Sequence, residues 1–317
     1  MSLLEVWFNN ISPKNRARLI KRIAETGDGT DECLQYGFLP MPVHFYSPVP
    51  EISDLEQRRI WDRRSDLAGL DLKISEQLDK LENLGRQFGS ECQWAHHSGG
   101  DATKFSTDNS GFSFGCAAST HSIIRAHKPR KVIEIGSGSS SRVIAAALRA
   151  NLTGGGDAAD YCVIDPYPNE TLTKVLGISS IVRSRVELTE IERFQALEEN
   201  DVLFVDSGHT VRIGGDVNFL ILDVLANLKP GVIVHFHDIP MPYEYSETYS
   251  KNPSFRMFWT ESYLLQAFLA FNDSFEIVLS MNFLMRDHAS AFASAFPFYD
   301  PDVHKYESHS FWIRRTK

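Results

Sequence analysis

The chain has no excess of basic charge, few cysteines and no long apolar run, and each shortage removes a class of function. Its 317 residues carry 32 Lys and Arg against 41 Asp and Glu, a formal net charge of −9. Nucleic-acid binders present a basic surface to the phosphates, so this balance argues against that class. The four cysteines, Cys33, Cys92, Cys116 and Cys162, lie far apart, and no two stand at the C-x-x-C spacing of a zinc or redox motif. They read as reduced thiols of a cytoplasmic protein. No apolar stretch reaches the ~18 residues that a membrane-spanning helix needs. The start, MSLLEVWFNNISPKNRARLIKRI, lacks the basic-then-apolar order and the small-residue cleavage site of a signal peptide. Lys14, Arg16, Arg18, Lys21 and Arg22 predict a basic helical face there. It reads as a solvated face of a helix packed on the main domain or on a second subunit, with a membrane-surface role left open. Internal repeats and low-complexity tracts are absent.

Hydrophobic residues make up 43% of the chain, enough for one large domain with or without an appendage. Two regions emerge. Residues 1–111 form a helical, irregular cap: SDLEQRRIWDRRSDLAG and KISEQLDKLENLGRQF carry apolar residues three and four apart, the spacing of amphipathic helices. From 112 to 317 short β-rich runs alternate with helical stretches. The strand candidates are KVIEIG (131–136), YCVID (161–165), SIVRSRVEL (180–188), DVLFVDSG (201–208), GVIVHFHD (231–238), FEIVLS (275–280) and SFWIRR (310–315). Helices are expected over SSSRVIAAALRA, EIERFQALEEN, IGGDVNFLILDVLANL and FWTESYLLQAFLAFN. This alternation predicts an α/β fold, a doubly wound, seven-stranded, mostly parallel sheet with the N-terminal helical cap beside it. Ligands of such sheets bind beyond the carboxyl ends of the strands. That rule gathers Glu134, Asp165, Asp206 and Asp238 on one rim.

VIEIGSGSSS (132–141) is a strand, a glycine turn and a helix start. Gly136 and Gly138 allow a sharp turn and a close approach to a ligand. Ser139, Ser140 and Ser141 bring hydroxyls and exposed N–H groups to the helix start. The dinucleotide fingerprint wants a third glycine at 141, where Ser141 stands, and an acid at 134 sits poorly beside a pyrophosphate. Glu134 suits a cationic or hydroxyl-bearing cofactor.

The run Glu134-Ile135-Gly136-Ser137-Gly138-Ser139-Ser140 resembles the first motif of class I S-adenosylmethionine-dependent methyltransferases, the Rossmann-like methyltransferase fold. The resemblance implies that Glu134 and the loop from Gly136 to Ser140 hold the methionine part of S-adenosylmethionine. It implies that Asp165 accepts the ribose hydroxyls, and that Glu187 faces the adenine. The glycine-rich insert TGGGDAAD (153–160) lengthens the spacing to Asp165.

At the other end, Asp206-x-x-His209, an early helical Asp216, Lys229-Pro230-Gly231 and His237-Asp238 resemble methyltransferase domain family 24 and its sugar-modifying relatives. The function implied is O-methylation of a small-molecule or sugar-like acceptor. His209 would be the general base, with Asp206, His237 and Asp238 as catalytic neighbours and holders of a divalent metal. A hard cation such as Mg prefers oxygen ligands, and two histidines with two aspartates suit Zn, Mn or Fe better. Strand alternation sets His235 and His237 on the same side one layer apart, which makes His235 a core histidine and His237 the site residue. Tyr46 and Arg63 are expected at the cofactor pocket, under a lid formed by the cap. Tyr243, Glu244, Trp259 and Tyr263 are expected along the acceptor site. Two alternatives stay open: a metal-dependent hydroxylase or hydrolase on the same fold, and a non-catalytic cofactor-binding interaction domain. A homo-oligomer is also left open.

Overall fold

Short, largely apolar runs build seven strands in the computed structural model, which describes residues 10–317. The first nine residues lie outside the described residues. The strands are β1 (Lys131–Ile135), β2 (Asp160–Ile164), β3 (Ser180–Val182), β4 (Val202–Val205), β5 (Ile233–Phe236), β6 (Phe275–Ser280) and β7 (Phe311–Arg315). They form one sheet in the order β3-β2-β1-β4-β5-β7-β6. All neighbours are parallel except β7, which runs antiparallel to β5 and β6. The strand order reverses between β1 and β4, and a doubly wound sheet opens its ligand crevice there.

The chain divides into two units. The first comprises residues 1–61 and 247–258, the second 62–246 and 259–317. In the first, α1 (Pro13–Thr26) begins at the Ser12 cap with proline in its first turn and ends at Gly27, whose φ of 74° is left-handed. No α1 residue is buried. Further along, the Lys251 ammonium pairs with Glu56 at 2.7 Å and lies over the Trp61 ring. The long amphipathic helix expected over 53–69 breaks into Ile52–Gln57 and a turn at Ile60–Asp62, because Arg59 between them adopts a left-handed φ of 51°.

In the second unit, helices cover both faces of the sheet. Val132, Val163, Phe204 and Trp312 point to one face, where they meet α2 (Ile74–Phe88), α3 (Phe114–His127) and α4 (Ser139–Thr153). Ile133, Leu203 and Val234 point to the other, against the helical stretch from Asp216 to Asn227 and α5 (Glu261–Leu269). The strand expected over 180–188 stops at Val182: the Ser184 N–H turns back to the Val182 carbonyl, and a short helical turn follows at Val186–Leu188. The four cysteines are free and buried. Among the described residues, no helix is long and apolar enough to cross a membrane.

Candidate functional site

The tips of β1, β2 and β4 are joined by backbone hydrogen bonds that carry their side chains to one crevice. The Gly136 N–H donates to the Ile164 carbonyl at 3.0 Å, and the Asp206 N–H donates to the Ile135 carbonyl at 2.9 Å. Beside them opens a cleft of about 470 Å³. Gly136, Asp165, Glu187 and Asp206 line it, with Tyr167 and Arg212 at its walls. The Asp165 carboxylate is pinned from behind: Oδ2 accepts the Ser137 hydroxyl, and Oδ1 accepts the Tyr167 N–H at 2.7 Å. Glu187 lies 3.5 Å from the Arg185 guanidinium.

Glu134 does not reach that cleft. It is fully buried under the start of α4, where its carboxylate accepts the hydroxyls of Ser140 at 2.6 Å, Ser141 at 2.8 Å and Tyr161. Burial pushes its carboxyl up to about 7, against the pull of these three donors. The acid and its serines therefore tie the glycine turn to β1 and β2. Ser137 is the loop residue whose hydroxyl turns toward Asp165.

The tips of β4 and β5 build a second cluster. His209 and Asp238 both adopt left-handed backbone angles, with φ of 56° and 55°. His209 Nε2 stands 3.3 Å from Asp206 Oδ1 and 3.5 Å from Asp238 Oδ2. His237 Nδ1 stands 3.7 Å and 3.3 Å from the same two oxygens. Among the described residues, neither ring nitrogen of His237 has a hydrogen-bond partner, although the residue is buried. Burial disfavours charge on both histidines, yet the carboxylates prevail: Asp206 and Glu261 hold His209 up to about 10, and Asp238 with Asp206 raises His237 well above its ordinary value. Asp238 is correspondingly held low by His237, against the effect of its burial. His235 is in the core layer, stacked on Phe204 and bonded through Nε2 to Ser310 at 2.8 Å. Burial drives its proton affinity well down.

Three residues of this cluster carried no signal in the sequence. Glu261 Oε2 lies 2.8 Å from His209 Nδ1. His309 bridges Asp238 and Glu307, each at 3.6 Å. Cys116, fully buried behind His237, has its thiol brought down to about 6, where burial is outweighed by His237. Acids in the first turn of a helix are common, so Glu261 looked ordinary. Of the residues expected along the acceptor site, Tyr243, Glu244 and Tyr263 line one cavity of about 290 Å³, together with Ser262 and Gln266; Arg63, expected at the cofactor pocket, lines this cavity and not the cleft beside Gly136 and Asp165. Trp259 packs elsewhere, with its ring 4.6 Å from that of His209. Tyr46 belongs to the first unit and is exposed.

The chain is similar to known proteins, and the similarity takes in this region. A family described as a methyltransferase domain, family 24, matches residues 133–239, from β1 through the end of β5. An uncharacterized protein of Archaeoglobus fulgidus is 27% identical over 205 residues, covering 62% of this chain and 89% of its own. Among solved structures, a protein provisionally assigned as a methyltransferase from Thermobifida fusca YX shares 12% identity with a TM-score of 0.40, covering 81% of this chain and 97% of its own. An S-adenosylmethionine-dependent methyltransferase of Archaeoglobus fulgidus shares 16% identity with a TM-score of 0.33, covering 63% and 94%. The family match takes in the glycine turn, Asp165, Asp206 and Asp238, and it falls on a sheet whose order opens a crevice at those residues. Over residues 133–239, from β1 through the end of β5, the chain matches a methyltransferase domain.

Proposed function

We propose that the protein methylates a hydroxyl oxygen of a small-molecule or sugar-like acceptor, and that a divalent cation at the rim takes part. The observation that carries the cation is the cluster of Asp206, His209 and Asp238, whose ligand atoms all lie within 4.8 Å of one another, with His237 beside the two aspartates at 3.3 and 3.7 Å. Donors at about 2.1 Å from one shared ion stand roughly that far apart, and direct hydrogen bonds would be shorter. The orphaned nitrogens of His237 fit the same reading. Two imidazoles and two carboxylates favour Zn or Mn over Mg.

The cleft suits the cofactor. Asp165 offers its remaining lone pairs to ribose hydroxyls, Glu187 stands toward the adenine end, and the turn from Gly136 to Ser140 takes the methionine part. When bound, S-adenosylmethionine supplies an electrophilic methyl group on a sulfonium. A divalent cation, when bound, lowers the proton affinity of a hydroxyl beside it. Asp206 belongs to both the cleft and the rim, so it sets the two reactants side by side. Such positioning supplies much of the rate in a direct displacement. His209 is ringed by the carboxylates of Asp206, Asp238 and Glu261, and a cation bound there would displace the proton from its Nε2.

A second reading keeps His209 as the general base, supported by its place three residues after Asp206. Labelled methyl transfer to a panel of polyhydroxylated small molecules separates the two. Loss of label transfer with EDTA and its return with Mn²⁺ or Zn²⁺ supports the cation. Turnover that resists EDTA supports His209 as base. Calorimetry that finds no S-adenosylhomocysteine binding at millimolar ligand would sink both.

A further inference from the structure

We infer that Glu261 is the positioning residue of this rim: it holds the His209 ring so that Nε2 faces Asp206 and Asp238. The inference rests on the reading of the rim as a cation site. Glu261 lies in the first turn of α5, and His209 lies in the loop after β4. Their side chains meet at 2.8 Å through Glu261 Oε2 and His209 Nδ1. The other carboxylate oxygen, Oε1, is buried with no hydrogen-bond partner among the described residues. A carboxylate with no solvent exposure and a single side-chain partner is costly, and an apolar residue would pack more cheaply in its place. The cost has one visible return, the fixed orientation of His209.

The backbone reinforces that orientation. The N–H groups of Thr260 and Glu261 both donate to the His209 carbonyl, at 2.8 and 3.1 Å. The Thr260 hydroxyl accepts the Val211 N–H at 2.8 Å. The left-handed turn at His209 is thereby docked on the start of α5, and the Trp259 ring covers it. With Nδ1 donating to Glu261, Nε2 is the ring nitrogen turned toward Asp206 Oδ1 and Asp238 Oδ2, where a bound cation would take the place of its proton. A carboxylate behind a histidine also makes that histidine a stronger ligand.

The test uses the full chain and Zn²⁺, with affinity read by chelator competition. Glu261→Gln keeps the volume and removes the charge. It is expected to weaken Zn²⁺ binding about 10- to 100-fold. S-adenosylhomocysteine affinity should stay within about twofold, and the melting temperature within about 3 °C, of wild type. Glu261→Asp, which restores the charge, should recover part of the loss. If Glu261→Gln binds Zn²⁺ as wild type does while Asp238→Asn does not, the positioning role is overturned. If the wild-type protein binds neither Zn²⁺ nor Mn²⁺, the cation reading falls by itself. Crystal structures of wild type and Glu261→Gln with S-adenosylhomocysteine then decide for Glu261. A His209 ring that turns in the variant supports its role, and a ring that stays in place overturns it.

Discussion

A β-carbon on Gly136 would stand 2.1 Å from the carbonyl oxygen of Asp206. The turn after β1 and the first residue of the rim therefore touch through bare backbone. Gly136 also has a φ of 81°, where an L-residue is strained. Gly136→Ala is expected to cost at least about 2 kcal/mol of stability, seen as a fall in melting temperature of several degrees, and to weaken S-adenosylhomocysteine binding. Gly138 is the control, since a β-carbon there meets no atom within 4 Å. Gly138→Ala should melt close to wild type. Equal melting of the two variants would show that the contact between the β1 and β4 tips is dispensable.

Asp165 has one hydrogen bond already made by each carboxylate oxygen, from Ser137 and from the Tyr167 N–H. Its orientation is set before any ligand arrives. Asp165→Asn replaces an acceptor by a donor in that fixed position. Loss of charged hydrogen bonds to ribose hydroxyls should weaken S-adenosylhomocysteine binding about 10- to 100-fold by calorimetry. An unchanged affinity would move the cofactor out of this cleft.

The sheet was legible because its strands are short apolar runs separated by helical spacing, and β6 (Phe275–Ser280) matches the expected run end to end. The ends of the elements were less legible. Nothing in SIVRSRVEL announces that the Ser184 N–H turns back on Val182, and that bond ends β3. The rim was half legible. Asp206, His209, His237 and Asp238 sit beside strand ends, where position alone marks them. Glu261 is 52 residues beyond His209 and becomes its partner only through the packing of α5 on the sheet. Glu134 was visible as an acid inside a strand, but its partner Tyr161 was not. That contact depends on the parallel register that sets Tyr161 opposite Val132.

Glu134 also gives the protein a pH dependence with a definite sign. Its carboxyl titrates near 7 in the folded protein and near the ordinary value of 4.5 in the unfolded chain. Between those values the folded state binds more protons, so this group's contribution to stability is full below the lower one and is lost as pH rises through the upper one. The loss should amount to up to about 3 kcal/mol. Urea midpoints should therefore fall from pH 5 to pH 8, and Glu134→Gln should flatten that slope. A midpoint that rises over the same range, with the variant parallel to wild type, would place the Glu134 charge at no cost in the fold.

His235 and His237 separate the supporting layer from the rim. They stand on one strand two residues apart, with ring centroids 6.0 Å from each other. His235 spends its Nε2 on Ser310 and its ring face on Phe204, and among the described residues no carboxylate lies within ion-pair distance of it. His237 spends nothing on hydrogen bonds and stands beside both rim aspartates. His235→Gln should therefore act on stability, costing about 1–3 kcal/mol through the lost stacking and a poorer bond to Ser310, with Zn²⁺ affinity within about twofold of wild type. His237→Gln should act on the ion, lowering Zn²⁺ affinity more than about tenfold with a smaller change in melting temperature. The reverse pattern, affinity lost at His235 and kept at His237, would mean that the rim turns inward and that the cage assigned to Asp206 and Asp238 is misplaced by one layer.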